Sequence, residues 1–160
     1  MYTGKADWTL IAEVKNNSKI QIPIIGNGDI TSAQKAKMLL DQSGVDALMI
    51  GRGAIGRPWL FQEVKHYLGT GELLKSPTVS EVVEVLREQI KINMEWLDNE
   101  YTCILMMRRH FAKYFPGLPD FRELKIELLR AETGTEVDEI LNKIVDIYGS
   151  FQLEDNNIKL

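Results

Sequence analysis

Two short stretches of this 160-residue chain carry residue types suited to holding an anion. In "IPIIGNGDIT", residues 22–31, an apolar run ends in Gly26-Asn27-Gly28-Asp29 and a helix-start signal follows. In "ALMIGRGAIG", residues 47–56, the arrangement returns with Gly51-Arg52-Gly53. A strand that ends in Gly-x-Gly before a helix presents bare backbone N–H groups at a helix N-terminus, which suits phosphate. One such loop says little, because Gly-x-Gly also serves as a plain tight turn. Two in succession say more. In β/α barrels the loops after the last two strands, with the N-terminus of a short extra helix, often bind a phosphate, and "GAIGRPW" can supply that helix. The competing reading is turn glycines with no ligand.

Other chemically capable residues have simpler readings. The single cysteine, Cys103, lies among Ile104, Leu105, Met106 and Met107 and reads as a small core residue. His66 reads as a surface residue, Trp59 as core, and the Met106-Met107 pair as packing. On residues alone His110 reads as a satisfied structural histidine. There is no His/Cys/Asp/Glu cluster at metal spacing and no Ser/His/Asp arrangement.

The loops need strands and helices to hold them. Ala6–Val14 reads as a helix with Trp8, Ile11 and Val14 on one face. Ile22–Ile25 and Ala47–Ile50 read as short buried strands. Thr31 with Gln34 forms a capping box for a helix over about residues 32–42, and Gly44 fits its left-handed stop. Short apolar strands alternating with helices indicate parallel β/α units. "GTGELLKSPT", residues 69–78, is a linker. Beyond it the pattern is all helix. Thr78 with Glu81 caps a helix carrying Val82, Val83, Leu86, Ile90 and Leu97. A second helix runs from about Thr102 to Tyr114 and stops at "FPGLP". Asp120 with Glu123 caps a third, carrying Phe121, Leu124, Leu128 and Leu129. Thr135 caps a fourth, with Val137, Ile140, Leu141, Ile144 and Val145 inward. The polar tail after Gly149 is expected to fray.

The fold class is thus α/β plus all-α, predominantly helical, with domains at 1–72 and 73–150 and a polar tail at 151–160. The apolar share of 44% supports a real core. No apolar run is long enough to span a membrane. A lone cysteine fits a reducing, cytoplasmic setting. The net charge of −4 is uneven: residues 1–78 carry nine Lys/Arg against seven Asp/Glu, and residues 79–160 carry ten against sixteen. Bulk charge therefore argues against nonspecific nucleic-acid binding, though not against a local basic patch.

Four stretches together, "MYTGKADW", "IPIIGNGDI", "DALMIGRGAIGRPWLF" and "MRRHFAKYFPGLP", resemble the tRNA-dihydrouridine synthases, most closely the bacterial B type. The resemblance is in order and covers about residues 1–148. It implies the last two β/α units of a TIM barrel followed by a four-helix tRNA-binding domain. It implies FMN as cofactor, with Asn27, Gly28 and Asp29 in the first flavin-contacting loop and Gly51 and Arg52 gripping the FMN phosphate. Arg108, Arg109 and His110 match the basic start of the tRNA-facing helix, and Lys113 lies four residues after Arg109 on the same face. The family reduces the C5=C6 bond of a uridine in tRNA, with NADPH as the usual electron source and a cysteine as proton donor.

In the family that cysteine precedes the Met-Tyr-x-Gly segment with which this chain begins. The expectation is therefore a C-terminal portion, inactive alone, whose exposed barrel edges lead to self-association. Two other readings stand beside it: a helical RNA-binding or interaction module, and a piece of a different phosphate-binding barrel.

Overall fold

A computed structural model of the chain describes residues 4–153. These contain seven α-helices and two short strands. The chain divides between Leu74 and Lys75 into two compact units.

The first unit alternates helix and strand. α1, Trp8–Lys15, starts at Asp7, whose carboxylate accepts from the Thr9 N–H. β1, Ile25–Asn27, is followed by α2, Ala33–Ser43, then β2, Ala47–Met49. A single 3-10 turn over Arg52–Ala54 leads to α3, Leu60–Thr70. The strands pair in parallel, with Ile25 opposite Ala47, Gly26 opposite Leu48 and Asn27 opposite Met49. α2 links them as the crossover. Trp8, Ile30, Ala36, Leu39, Val45 and Leu60 form the buried centre, with Ile24, Leu48 and Ile50 packed against it. Side chains alternate across a strand, so the opposite face shows Ile25 at 61% and Met49 at 60% exposure.

Several sequence expectations shift here. The first strand begins at Ile25 rather than Ile22, because Pro23 has no N–H for the ladder and Ile22 stands 70% exposed. Just before β1 the ties run through Asp46, whose backbone donates to Ile24 O and whose carboxylate accepts from Ile24 N. α2 is capped by Ser32, which accepts from Lys35 N, and not by Thr31. Val14 is exposed, while Trp59 and His66 are half-buried.

The second unit contains α4, Val79–Trp96; α5, Glu100–Tyr114; α6, Arg122–Arg130; and α7, Gly134–Tyr148. The capping box of α4 has both bonds: Thr78 Oγ1 accepts from Glu81 N, and the Glu81 carboxylate accepts from Thr78 N at 2.7 Å. Val82, Val83, Leu86 and Ile90 are buried with Ile104, Met107, Leu128, Leu141 and Ile144. α5 starts at Glu100 behind the Asn99 cap, two residues before the expected Thr102. α6 has no side-chain cap: Asp120 adopts φ 50°, outside the extended geometry that a cap needs. α7 is capped by Thr133, not Thr135. After Gly149 the described chain does not fray. Val79 N donates to Phe151 O, Leu153 N donates to Pro77 O, and Leu153 is buried. Residues 154–160 of the expected tail lie outside the described residues.

Candidate functional site

The two glycine loops emerge side by side because β1 and β2 are parallel and in register. Asn27, the last residue of β1, donates its side-chain N–H to Met49 O at 2.8 Å, tying the two strand ends together. Two residues on, Asp29 adopts φ 51°, a left-handed conformation that Asp tolerates better than most residues. Its Oδ2 accepts from Ala6 N at 2.7 Å, and its Oδ1 lies 3.5 Å from Arg52 Nη2. One carboxylate thus joins the first loop to the segment before α1 and to the second loop.

The glycines differ in their reasons. A Cβ on Gly26 would lie 2.5 Å from Trp8 Cζ3, and one on Gly28 would lie 2.4 Å from Ala6 Cβ. These two are required by close packing, and Trp8 Nε1 adds a 3.1 Å bond to Gly28 O. A Cβ on Gly53 would run into Ile30 O, so the second loop is pressed onto the first. At Gly51 a Cβ would meet nothing within 4 Å. Of these four loop glycines, Gly51 alone has open space beside its backbone, next to Arg52, whose side chain is 66% exposed. Beyond the turn, Arg57 pairs with Glu63 at 2.6 Å, both largely buried, and its other nitrogen reaches Thr31 O at 3.5 Å.

The structure brings together Asn27, Gly28, Asp29, Gly51 and Arg52. Sequence reasoning missed their supports, Ala6 and Trp8. The signal was available as two glycines whose missing side chains leave room for a neighbour, but no spacing rule says which neighbour arrives.

The second set of residues lies on α5. Arg109 and Lys113 are exposed, and His110 is half-buried between them in sequence. Burial lowers the His110 pKa first, and the charges of Arg109 and Lys113 lower it further. Arg108 behaves differently. Its guanidinium donates toward Ala131 O at 3.2 Å and lies 3.5 Å from Arg130 O, at the end of α6. Arg122 is exposed and Lys125 half-buried on α6. Among the described residues, none of Arg109, Lys113, Arg122 and Lys125 makes an ion pair; Glu127 pairs with Lys143 instead.

Cys103 is fully buried on α5, with Sγ 3.9 Å from Ile90 O, and burial raises its pKa. A thiol held neutral in a core is a packing group. Among the described residues there is no group of three metal-ligating side chains, and no helix is long and apolar enough to cross a membrane.

A parallel β/α pair with glycine loops at the strand ends, followed in sequence by a helical unit, is an arrangement suited to a phosphate-bearing ligand. Comparison with known proteins makes the assignment specific. A family model described as "Dihydrouridine synthase (Dus)" matches residues 1–148. The chain is 37% identical over 158 residues to a "Probable tRNA-dihydrouridine synthase" of Rickettsia conorii, covering 99% of this chain and 46% of that protein. It is 42% identical over 136 residues to "tRNA-dihydrouridine synthase B" of Shewanella oneidensis, covering 85% of this chain and 41% of that protein. It is 48% identical over 91 residues to the protein of that name from Proteus vulgaris, covering 57% and 28%. The chain belongs to the dihydrouridine synthase family, and its likeness within it is to the bacterial B type. It spans less than half the length of these relatives.

Proposed function

We propose that this chain supplies part of the flavin site and the tRNA-holding surface of an FMN-dependent tRNA-dihydrouridine synthase. In this reading residues 1–72 are the closing β/α units of a TIM barrel and residues 73–150 are the tRNA-binding domain. The observation that carries it is the tied pair of loops: two parallel strands in register deliver Asn27–Asp29 and Gly51–Arg52 to one place. A sheet of this parallel kind is normally covered on both faces. Here the face with Ile25 and Met49 is exposed, as the interior wall of a larger barrel would be if seen from a part of it.

The residues fit the phosphate of FMN. Gly51 leaves room for an oxygen to approach the backbone, and the guanidinium of Arg52 matches a phosphate in charge and geometry. Asp29 would repel a phosphate, so its oxygens suit a hydroxyl or N–H elsewhere on the cofactor. The chemistry that the flavin supplies when bound is hydride delivery to the C5=C6 bond of a uridine, with NADPH as the electron source. Gly51 and Arg52 hold the phosphate, Asn27 keeps the strand ends level, and Asp29 orients Arg52. Arg109, His110 and Lys113 meet tRNA phosphates. The only cysteine is buried Cys103, so this chain by itself moves no proton to C5 and is inactive alone.

The test has two arms on the 160-residue chain. In the first, FMN is titrated at millimolar concentration while backbone amide resonances are followed, and shifts are expected at Gly51, Arg52 and Gly53. In the second, unmodified tRNA is titrated, and salt-dependent binding is expected, with no dihydrouridine formed when FMN and NADPH are added. Binding of tRNA with no FMN shifts would leave a helical RNA-binding module. Silence in both arms would refute the reading.

A further inference from the structure

We propose that Arg108 is a positioning residue that clamps the end of α6 and so fixes the two basic helix faces of the second unit in one surface; the tRNA part of this rests on the reading above. Arg108 stands in a run of basic residues, and by type it belongs with Arg109 and Lys113. Its geometry separates it from them. The guanidinium donates to Ala131 O at 3.2 Å, with Arg130 O at 3.5 Å as a weaker neighbour. Its Nε is buried and has no hydrogen-bond partner among the described residues. A side chain whose inner N–H is shut away from solvent is turned into the protein rather than toward a ligand.

α6 needs what Arg108 provides. The last carbonyls of a helix have no partner within it, and many helices satisfy them with a left-handed glycine. α6 ends differently: Ala131 has φ −54° and ψ 141°, and its N–H bonds back to Glu127 O at 3.0 Å. Two of the carbonyls beyond that bond, those of Arg130 and Ala131, meet Arg108. A cation there also answers the negative end of the helix dipole. Both contacts run from the one nitrogen Nη2, whose two N–H groups lie fixed in the guanidinium plane, an orientation that a lysine ammonium on its flexible stem does not hold as well.

The other end of α6 is held by rings. Phe121, at its start, packs against Phe115 with centroids 5.3 Å apart and against Tyr148 at 6.0 Å. Tyr148 Oη donates to Pro119 O at 2.7 Å, bracing the turn between α5 and α6. With rings at one end and Arg108 at the other, α6 cannot pivot on α5. Arg109 and Lys113 on α5 therefore keep a constant distance from Arg122 and Lys125 on α6. Arg108 acts on RNA through those four residues, not by touching phosphate.

The experiment uses the 160-residue chain with Arg108→Met, Arg108→Lys and, as a reference, Arg109→Ala. Amide exchange is measured at Ala131, and tRNA affinity is measured at several salt concentrations. In Arg108→Met the exchange at Ala131 should quicken about tenfold, as expected for loss of a charged hydrogen bond. Its tRNA affinity should fall several-fold with the salt slope unchanged. Arg109→Ala should leave that exchange alone and lower the slope by about one. Arg108→Lys should restore part of the protection, and it decides by its exchange if the methionine variant does not fold. A slope loss of about one in Arg108→Met, or unchanged exchange at Ala131 in the variants that fold, would overturn the proposal. If the unsubstituted chain does not bind tRNA, the tRNA reading fails, and the exchange at Ala131 still decides the clamp.

Discussion

Asp29 and Arg52 face each other across the ends of two parallel strands, with Oδ1 and Nη2 3.5 Å apart. The same carboxylate accepts from Ala6 N at 2.7 Å. The ion pair is long and its arginine is largely exposed, so it adds little stability. The bond from Ala6 matters more, since it closes a contact between residues 23 positions apart. Asp29→Ala should destabilise the first unit by about 0.5–1.5 kcal/mol, the usual net worth of such a bond. Asp29→Asn keeps an acceptor and tolerates the left-handed backbone, so it should cost less. Urea unfolding followed by tryptophan fluorescence measures both. Equal costs would mean that the charge, and not the acceptor, matters.

The glycines can be separated by substitution. Gly26→Ala pushes a methyl group into the Trp8 ring, which is itself buried. Overpacking of this kind costs about 1–3 kcal/mol. Gly69 lies inside α3 with open space around its Cβ position and an ordinary φ. Gly69→Ala should therefore stabilise by about 0.5–1 kcal/mol through helix propensity. Opposite signs in thermal unfolding are expected for the pair.

How much of this was readable beforehand depends on whether a signal is local. Thr78 with Glu81 is a local signal, and both of its bonds are present. Gly44 as a left-handed stop is another, with φ 65°. Asp120 with Glu123 has the same spacing and failed, because Phe121 is drawn into the ring cluster and the turn forces Asp120 to φ 50°. Thr31 and Ser32 are chemically equivalent caps, and which one serves depends on where Ile30 is buried. The site divides in the same way. The loops Asn27–Asp29 and Gly51–Arg52 are legible as glycine patterns at strand ends. The ties from Ala6, Trp8 and Met49 are long-range contacts, invisible to spacing. Arg108 shows the limit most clearly: it shares its residue type with Arg109, and only the neighbouring helix end distinguishes it.

The capping carboxylate of α4 makes the second unit sensitive to acid. Hydrogen bonds from Thr78, backbone first and then hydroxyl, hold the Glu81 pKa below its ordinary value. A depressed carboxylate contributes stability above its unfolded pKa, about 4.3, and loses it as pH falls through the folded value. Melting temperature should thus be level from neutral pH to about pH 5 and fall below about pH 4.3. Glu81→Gln keeps the capping geometry without the titration, so its curve should start lower and fall less steeply. Parallel curves would show that other carboxylates govern the acid loss.

The exposed sheet face bears on association. Ile22, Ile25 and Met49 are each 60–70% exposed, and among the described residues the sheet has only two strands, so both of its edges are open. Open edges beside apolar side chains invite pairing with another chain. Light scattering at high concentration should show dimers or larger species. Ile25→Lys with Met49→Lys should shift the chain toward monomer, because charges on an edge disfavour pairing. A monomer before substitution would remove the basis for this expectation.

The basic residues of α5 yield a prediction that joins charge to pH. Arg109 and Lys113 make no ion pair among the described residues, although the next helix carries Glu123 and Glu127, with Glu132 just after it. Surface pairing would have made them a solvated helix face of little consequence. Unpaired, they are available to phosphate. Each phosphate contact releases counterions, so Arg109→Ala and Lys113→Ala should each lower the slope of log affinity against log salt by about one. His110 reports the same event independently. Its pKa is depressed mainly by burial and then by the charges of Arg109 and Lys113. A phosphate drawn to those cations offsets their charge, so the His110 pKa should rise on binding. By linkage, binding then takes up protons, and tRNA affinity should increase as pH falls through the interval between the free and bound values. His110→Gln should abolish that increase while leaving the salt slope at neutral pH unchanged. Affinity measured across pH and salt for the four proteins decides the matter. If Arg109→Ala and Lys113→Ala match the unsubstituted chain in affinity and slope, α5 is not the tRNA-facing helix.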